Sequence, residues 1–345
     1  MTKNIFIFGN DKVNWSVDED RKNTESILRK TRGVRIVRNI FRADAIHFVW
    51  YSQLDNRIVI FFLKLLKMIR KVSVSAVITN DIRNFPDKIT RLKYVVDTWV
   101  APSHRVCDFL RSMDLNVEYL PFLVDKEIFY RINIEKNDIC KKISIDPDAV
   151  KGKFLIGSFQ RDSLGTNLNE AKWQKNPQLL VDICKNLPRD RFVLVLAGPR
   201  RHFIANSCRR LKIPFIFVGK YEFIRYGKDD LLENNLSLEK INLLYNLIDL
   251  YIITSKSEGG PKAVLEAALT KTAVFSTDVG LASDMLHPKL IFSDTEPEKI
   301  VKTIKEIIGK RVDLAEETEY NYETVNKLLN DHSVEDSFRL VFDLK

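Results

Sequence analysis

Hydrophobic and polar positions along the chain follow two alternating periods. Residues 4–8, Asn-Ile-Phe-Ile-Phe, form a β-rich run that ends at Gly9. Ser16 and Glu19 then make an S-x-x-E capping box, which predicts a helix running to about Lys30. Strand-like runs follow at 45–50, 72–79, 99–101 and 117–120, with helical stretches at 57–70 and 103–112 between them. From 130 to 152 the periodicity fades, and Asp146-Pro147-Asp148 reads as part of a linker. The alternation then resumes. Strands are predicted at 154–159, 192–197, 215–218, 250–254, 273–276 and 290–292, and helices near 176–186, 238–247, 261–270 and 298–308.

Such βαβ alternation predicts parallel sheets covered by helices, an α/β protein. The expected division is a domain at 1–130, a linker at 131–152, a second domain at 153–330, and a helical segment at 331–345 packing back on the first domain. Paired domains of this kind take ligands outside the carboxyl ends of their strands.

Composition narrows the class. The 345 residues are 45% hydrophobic and 29% charged, enough for full cores in about two domains and unlike a disordered or collagen-like chain. No apolar run approaches the roughly 20 residues that span a bilayer. The opening residues lack a signal peptide's long apolar segment, so a cytoplasmic location is expected. Cys107, Cys140, Cys184 and Cys208 form no C-x-x-C pair and read as buried free thiols.

The net charge of +9 is unevenly placed. Residues 1–115 hold 21 Lys and Arg against 12 Asp and Glu, whereas the remainder holds 34 of each. A neutral back half argues against a nucleic-acid coat protein. A basic front half points to something anionic, either a phospholipid surface or an anionic acceptor.

Several chemistries are missing. There is no Walker-type G-x-x-x-x-G-K-[ST], no G-x-G-x-x-G behind the first strand, no H-E-x-x-H and no G-x-S-x-G. Asp18-Glu19-Asp20 forms a D-x-D, a pattern that can hold a metal on a nucleotide diphosphate. It falls in the first turn of a capped helix, where acids favour the dipole, so no metal site is read there.

The most informative stretch follows the run at 250–254. Glu258, Gly259, Gly260 and Pro261 lead into a helix that carries Glu266. Two glycines let backbone approach a ligand closely. The N–H groups of the helix start, with its dipole, suit a diphosphate. Glu258 and Glu266 can each accept sugar hydroxyls. A second cluster, Ser158-Phe159-Gln160-Arg161 with Trp173-Gln174-Lys175, offers cations at a strand's carboxyl end. Arg161 and Lys175 are candidate phosphate clamps; Arg200 and Arg201 follow another strand end.

At these residues the chain resembles glycosyltransferase family 4, the E-x7-E retaining enzymes of GT-B fold. Ser257-Glu258-Gly-Gly-Pro-Lys-Ala-Val-Leu-Glu266-Ala carries the resemblance. Gly157-Ser-Phe-Gln-Arg161, Leu196-Ala-Gly-Pro199, Val218-Gly219, Leu244-Tyr245, Asp249-Leu250-Tyr251 and Ser276-Thr-Asp-Val-Gly280 extend it in the family's order. The resemblance covers about 98–310 and implies two Rossmann-like parallel-sheet domains facing each other across a cleft. It implies a metal-independent, retaining hexosyltransferase of the polysaccharide-biosynthesis kind. A nucleotide diphosphate sugar would be its donor substrate, with no tightly bound cofactor.

Carried over residue by residue, Arg161 and Lys175 (or Lys172) would hold the diphosphate and Glu258 the donor sugar near the reacting carbon. Gly259, Gly260 and Pro261 would give backbone contacts, and Glu266 would bind the ribose. Lys220 or Tyr221 would lie near the base, with Arg200 a further donor-side residue. Two features depart from the family. Its usual E-G-F-G reads Glu258-Gly-Gly-Pro, and a frequent His is replaced by Asn80-Asp81. Two other readings share the architecture, a nucleotide-sugar epimerase and a catalytically inactive sugar-nucleotide-binding relative.

The acceptor, a glycan, a lipid-linked sugar or a small molecule, is expected on the front half. Asn80 and Asp81, with Trp15 and Trp50 behind strand ends, are the acceptor-side candidates. From Arg57 to Lys71 the sequence RIVIFFLKLLKMIRK makes one basic stripe of Arg57, Lys64, Lys67 and Lys71, with apolar residues over the rest. One reading is peripheral contact with the inner face of an anionic membrane. The other is a helix buried on the sheet with one solvated stripe. His47 reads as a core histidine.

Overall fold

The computed structural model describes residues 2–9 and 16–344, leaving aside the side chains of residues 16 and 331. Trp15, one of the expected acceptor-side residues, lies outside the described residues. The chain divides into two compact units. The first comprises Met1–Asp125, Glu258–Lys262 and Asn326–Lys345; the second comprises Lys126–Ser257 and Ala263–Val325.

The first unit runs β1 (Lys3–Phe8), α1 (Ser16–Lys30), β2 (Val34–Ile36), β3 (Ala45–Phe48), α2 (Arg57–Arg70), β4 (Ser73–Val77), α3 (Pro86–Leu92), β5 (Thr98–Ala101), α4 (His104–Arg111) and β6 (Val117–Tyr119). Its six strands lie in the order β2-β1-β3-β4-β5-β6 and every pairing is parallel. The order reverses at β1 and β3, so the carboxyl ends of these strands, at Phe8 and Phe48, flank this sheet's switch point. Val34–Ile36, too short to show a period, is the strand that the sequence pattern misses.

The second unit contains α5 (Lys136–Lys142), α6 (Pro147–Val150), β7 (Phe154–Ser158), α7 (Pro177–Lys185), β8 (Phe192–Ala197), α8 (His202–Leu211), β9 (Phe215–Val218), α9 (Tyr221–Arg225), α10 (Leu238–Leu247), β10 (Leu250–Ile253), α11 (Lys262–Leu269), β11 (Ala273–Thr277), α12 (Ala282–Met285), β12 (Ile291–Phe292), α13 (Pro297–Ile308) and α14 (Ala315–Leu328). Lys262 of α11 and the final turn of α14 cluster with the first unit. The strand order is β12-β11-β10-β7-β8-β9, all parallel. Counted from β7, this is the 3-2-1-4-5-6 order of a dinucleotide-type sheet with its switch point between β7 and β10. All residues of β8, β10 and β11 are buried, which explains why β8 and β10 read as continuous apolar runs.

The stretch 131–152 is more structured than its sequence pattern suggests. It holds α5 and α6, and its approach is pinned to α10: Asn242 Oδ1 accepts from Tyr130 N at 3.3 Å, and Asn246 Oδ1 from Ile132 N at 2.8 Å. Helices of seven and four residues are too short to establish an amphipathic period.

The last helix, α15 (Asp331–Val341), belongs to the first unit. Its Val334, Phe338 and Val341, with Phe342, share a core with Ile5, Ile7, Val100 and Leu120. His47 on β3 sits against the rings of Phe338 and Phe342, at 6.3 and 5.4 Å, and its Nδ1 lies 2.8 Å from Ser75 Oγ. Burial pushes its pKa down to about 4. It is a neutral core histidine. All four cysteines are buried free thiols.

Candidate functional site

The switch point of the second unit is where the polar side chains gather. At the carboxyl end of β7, Ser158 is buried and the chain continues through Gln160 to Arg161, which is half-buried. Burial lowers the Arg161 guanidinium from its ordinary pKa, and the charge of Arg200 adds to the effect. The following residue, Asp162, is 1% exposed and faces Arg201, also 1% exposed, with 3.4 Å between Oδ2 and Nε. Asp162 Oδ1 also accepts from Ser163 Oγ at 2.8 Å and Phe203 N at 3.1 Å. Arg201 Nη2 donates to Ser158 Oγ at 2.9 Å. The backbone repeats the tie, since Asp162 N and Ser163 N both donate to Arg200 O at 3.1 Å. This buried pair clamps the loop behind β7 to the loop behind β8 and fixes where Arg161 leaves the sheet. Burial raises the Asp162 pKa and lowers that of Arg201, and each charge opposes the other's shift.

Lys175 ends a 3₁₀ turn, Trp173–Lys175, and precedes Asn176 in the left-handed region at φ 45°. Its carbonyl accepts from Thr254 Oγ1 at 3.1 Å. Gln174 O accepts from Lys256 N at 2.8 Å and Ser257 N at 3.3 Å. The segment behind β10 is thus bonded to the turn that carries Lys175. The structure brings Lys175 together with Ser158, Gln160, Asp162, Arg201 and Thr254 around one small hollow at the strand ends. Lys172, the alternative clamp, gives its backbone N–H to Asp162 O at 2.7 Å.

Glu266 sits half-buried on α11, where Tyr245 Oη donates to its Oε2 at 2.9 Å. Tyr245 is 1% exposed; burial, then the Glu266 charge, raises its phenol well above the ordinary value. The Tyr251 ring lies 5.2 Å away, and its hydroxyl accepts from Phe159 N at 3.2 Å. Tyr245, Asp162 and Arg201 matter to this geometry, yet motif reasoning did not give Tyr245 or Asp162 a role. The signal available was an aromatic next to the leucines of α10 and an acid directly after Arg161.

The remaining donor-side candidates lie apart from this hollow. Arg200, at φ 56°, forks onto Asp229 with Nε–Oδ1 at 2.9 Å and Nη2–Oδ2 at 2.7 Å. Lys220 is exposed and paired with Glu233, and its backbone N donates to Asn234 Oδ1 at 2.7 Å. Tyr221 is half-buried beside Phe215 and Phe217, with ring centroids at 6.0 and 5.9 Å.

Glu258, Gly259, Gly260 and Pro261 cluster with the first unit. A Cβ on Gly259 would stand 2.6 Å from the carbonyl carbon and oxygen of Thr79 and 2.8 Å from Asn80 N, so only glycine fits this approach. Lys262 Nζ pairs with Asp20 Oδ1 at 2.5 Å, and Asp18, 4% exposed, is 3.7 Å from Arg21. The D-x-D carboxylates therefore serve ion pairs. Helix α11 begins at Lys262, one residue later than the sequence suggests. Asn80 is exposed, whereas buried Asp81 holds the Arg83 guanidinium with bonds of 2.8 and 2.7 Å. Trp50, behind β3, is half-buried against both cores of the first unit. Among the described residues no cluster of three His, Cys, Asp or Glu side chains is placed to hold a metal ion.

Residues 227–324 match the family described as glycosyl transferases group 1. No curated protein matches the chain. Solved structures resemble it over nearly its whole length. Anabaena HepE in complex with UDP and glucose superposes with a TM-score of 0.71 at 12% identity, covering 99% of this chain and 100% of that one. Sucrose-phosphate synthase from Thermosynechococcus elongatus gives 0.71 at 11% identity with full coverage of both, 100% and 100%. A glycosyltransferase from Rickettsia africae gives 0.69 at 15% identity, covering 99% and 98%. Two Rossmann-like parallel-sheet units, with most of the segment similar to group 1 glycosyl transferases in the second, give this chain a GT-B-like architecture.

Proposed function

We propose that the protein is a retaining, metal-independent hexosyltransferase of the family 4 kind, moving a sugar from a nucleoside diphosphate donor to a glycan or lipid-linked acceptor. The observation that carries this reading is the gathering of Lys175, Arg201 and Ser158 around one hollow at the switch point between β7 and β10, where an α/β sheet receives its ligand, with Arg161 next in the chain after Gln160 of that hollow. A uridine diphosphate sugar is the first donor to test, because HepE is known in complex with UDP-glucose.

In this reading the donor's C1–O bond breaks and its electron pair stays on the β-phosphate oxygen. Arg161, Lys175 and the N–H groups that open α11 take up the charge growing there. The acceptor hydroxyl attacks C1 from the face the phosphate leaves, and its proton passes to that phosphate oxygen. No enzymic nucleophile is needed. Glu266, held by Tyr245, accepts the ribose hydroxyls, and Glu258 accepts hydroxyls of the transferred sugar. Gly259 and Gly260 let backbone stand close to that sugar. Asn80 and Trp50 are assigned to the acceptor side.

The test is steady-state kinetics of Arg161→Ala with UDP-sugar donors. The expected outcome is a fall in kcat of about 10²–10³, the size seen when one preorganised charge stabiliser is removed. Unchanged kcat with only KM raised would remove Arg161 from the role of leaving-group stabiliser.

A further inference from the structure

Helix α2 is apolar on two sides. Leu63 and Leu66 are buried in the core of the first unit, as its packing on the sheet requires. Yet Ile58 is 76% exposed, Phe61 70%, Met68 82% and Ile69 71%, and Leu65 is exposed between them. Positions 58, 61, 65, 68 and 69 fall within one arc of about 100° on a helix of 3.6 residues per turn, opposite the buried side. Phe41, 55% exposed, stands edge-on to Phe62 at 5.9 Å and widens the patch. The basic stripe expected from sequence is also rearranged, because Lys67 turns to Asp97 at 2.6 Å and to Val95 O at 3.1 Å. The side facing solvent is therefore the greasy one, flanked by Arg57 and Lys64 along one border and by Arg70 and Lys71 at the carboxyl end.

A contiguous exposed apolar face needs an occupant. Charge decides which. From 57 to 71 there are five Lys and Arg and no Asp or Glu. An isologous dimer through α2 would set this patch against itself and bring Arg57, Lys64, Arg70 and Lys71 against their copies with no carboxylate on the helix to answer them. An anionic bilayer answers both features: it takes the apolar arc into the acyl boundary and the flanking cations at the headgroups. Among the described residues no helix is long and apolar enough to cross a membrane, so the contact is superficial.

We infer that α2 is a membrane-docking helix, seating the first unit on an anionic lipid surface through Ile58, Phe61, Leu65, Met68 and Ile69. This stands independently of the sugar-transfer reading, since the measurement is partitioning and not turnover.

The full-length protein is sedimented with vesicles of phosphatidylglycerol mixed with phosphatidylcholine, and with vesicles of phosphatidylcholine alone. Pelleting is expected with the first only, and should weaken in molar salt, where the Debye length falls to about 3 Å. Phe61→Ser with Met68→Ser should lower the partition coefficient about tenfold or more, because two large apolar groups lose their burial. Both positions face solvent, so circular dichroism and melting should be unchanged. Lys64→Glu should lower partitioning about fivefold or more. It tests the same face should the double variant fail to fold. Absence of pelleting with either vesicle overturns the inference, as does equal pelleting with both. Self-association in sedimentation equilibrium that the double variant abolishes would assign the face to a second copy of the chain and overturn it too.

Discussion

The two units bury polar groups in opposite ways. At the top of its sheet, the second unit keeps an ion pair, Asp162 with Arg201, each 1% exposed and bonded to neighbouring loops. The first unit buries His47 beneath α15, and the low-dielectric core strips its charge. One sheet holds a charge pair at its strand ends, while the other strips the charge from a histidine where helix and sheet meet. The net charge follows the same division, since the positive excess lies in residues 1–115 and is expressed on the outside. A common layer architecture therefore leaves each unit free to place its polar groups by task.

Unpairing the ion pair should have the largest effect. Asp162→Ala strands a guanidinium in the core and should cost about 3–5 kcal/mol in urea unfolding, whereas Asp162→Leu with Arg201→Met should recover most of that loss. A single variant as stable as the parent would show that the pair does not hold the loops, and the contrast between the units would fail.

Acid should act next, and on the first unit. His47 binds its proton near pH 6.5 when unfolded and near pH 4 when folded. Between those values the unfolded state holds more protons, so stability falls as pH drops from about 6.5 to about 4, by up to about 3 kcal/mol. Above that window His47 contributes no slope. His47→Gln should flatten the dependence in melts recorded across it. An unchanged slope would show that the acid sensitivity arises elsewhere.

Two smaller effects sharpen the picture. Gly259→Ala drives a methyl into the Thr79 carbonyl and should destabilise by about 1–3 kcal/mol in the same unfolding assay. Tyr245→Phe removes only the hydroxyl that steadies Glu266. Donor KM should rise about two- to tenfold with kcat kept, the size of one hydrogen bond. If kcat falls and KM holds, Tyr245 acts on the chemical step.

Much of this was legible in the residues because parallel strands buried on both faces leave uninterrupted apolar runs. Phe192–Ala197 and Leu250–Ile253 announce themselves in that way. Helix α2 was legible as a helix over its full length, but its exposure was not. Apolar residues on both sides of a helix give no sign of which side meets the core. The short pieces Val34–Ile36 and Pro147–Val150 carry too few residues for any period. Arg161 could be read as following a strand and Lys175 as preceding a helix because strand ends and helix starts leave sequence marks. The pairing of Arg200 with Asp229, and of Asp81 with Arg83, could not be read in the same way. A charged residue's partner is fixed by tertiary geometry, and one-dimensional spacing holds no record of it.

The packing of α15 on β1 and β3 has a consequence for biogenesis. Residues 1–125 leave the ribosome about 200 residues before Phe338 and Phe342 arrive, a gap of roughly 10–40 s at ordinary elongation rates. Throughout that interval the nascent first sheet lacks the lid over His47 and Ile5. The first unit is sealed only after the chain of the second has been made.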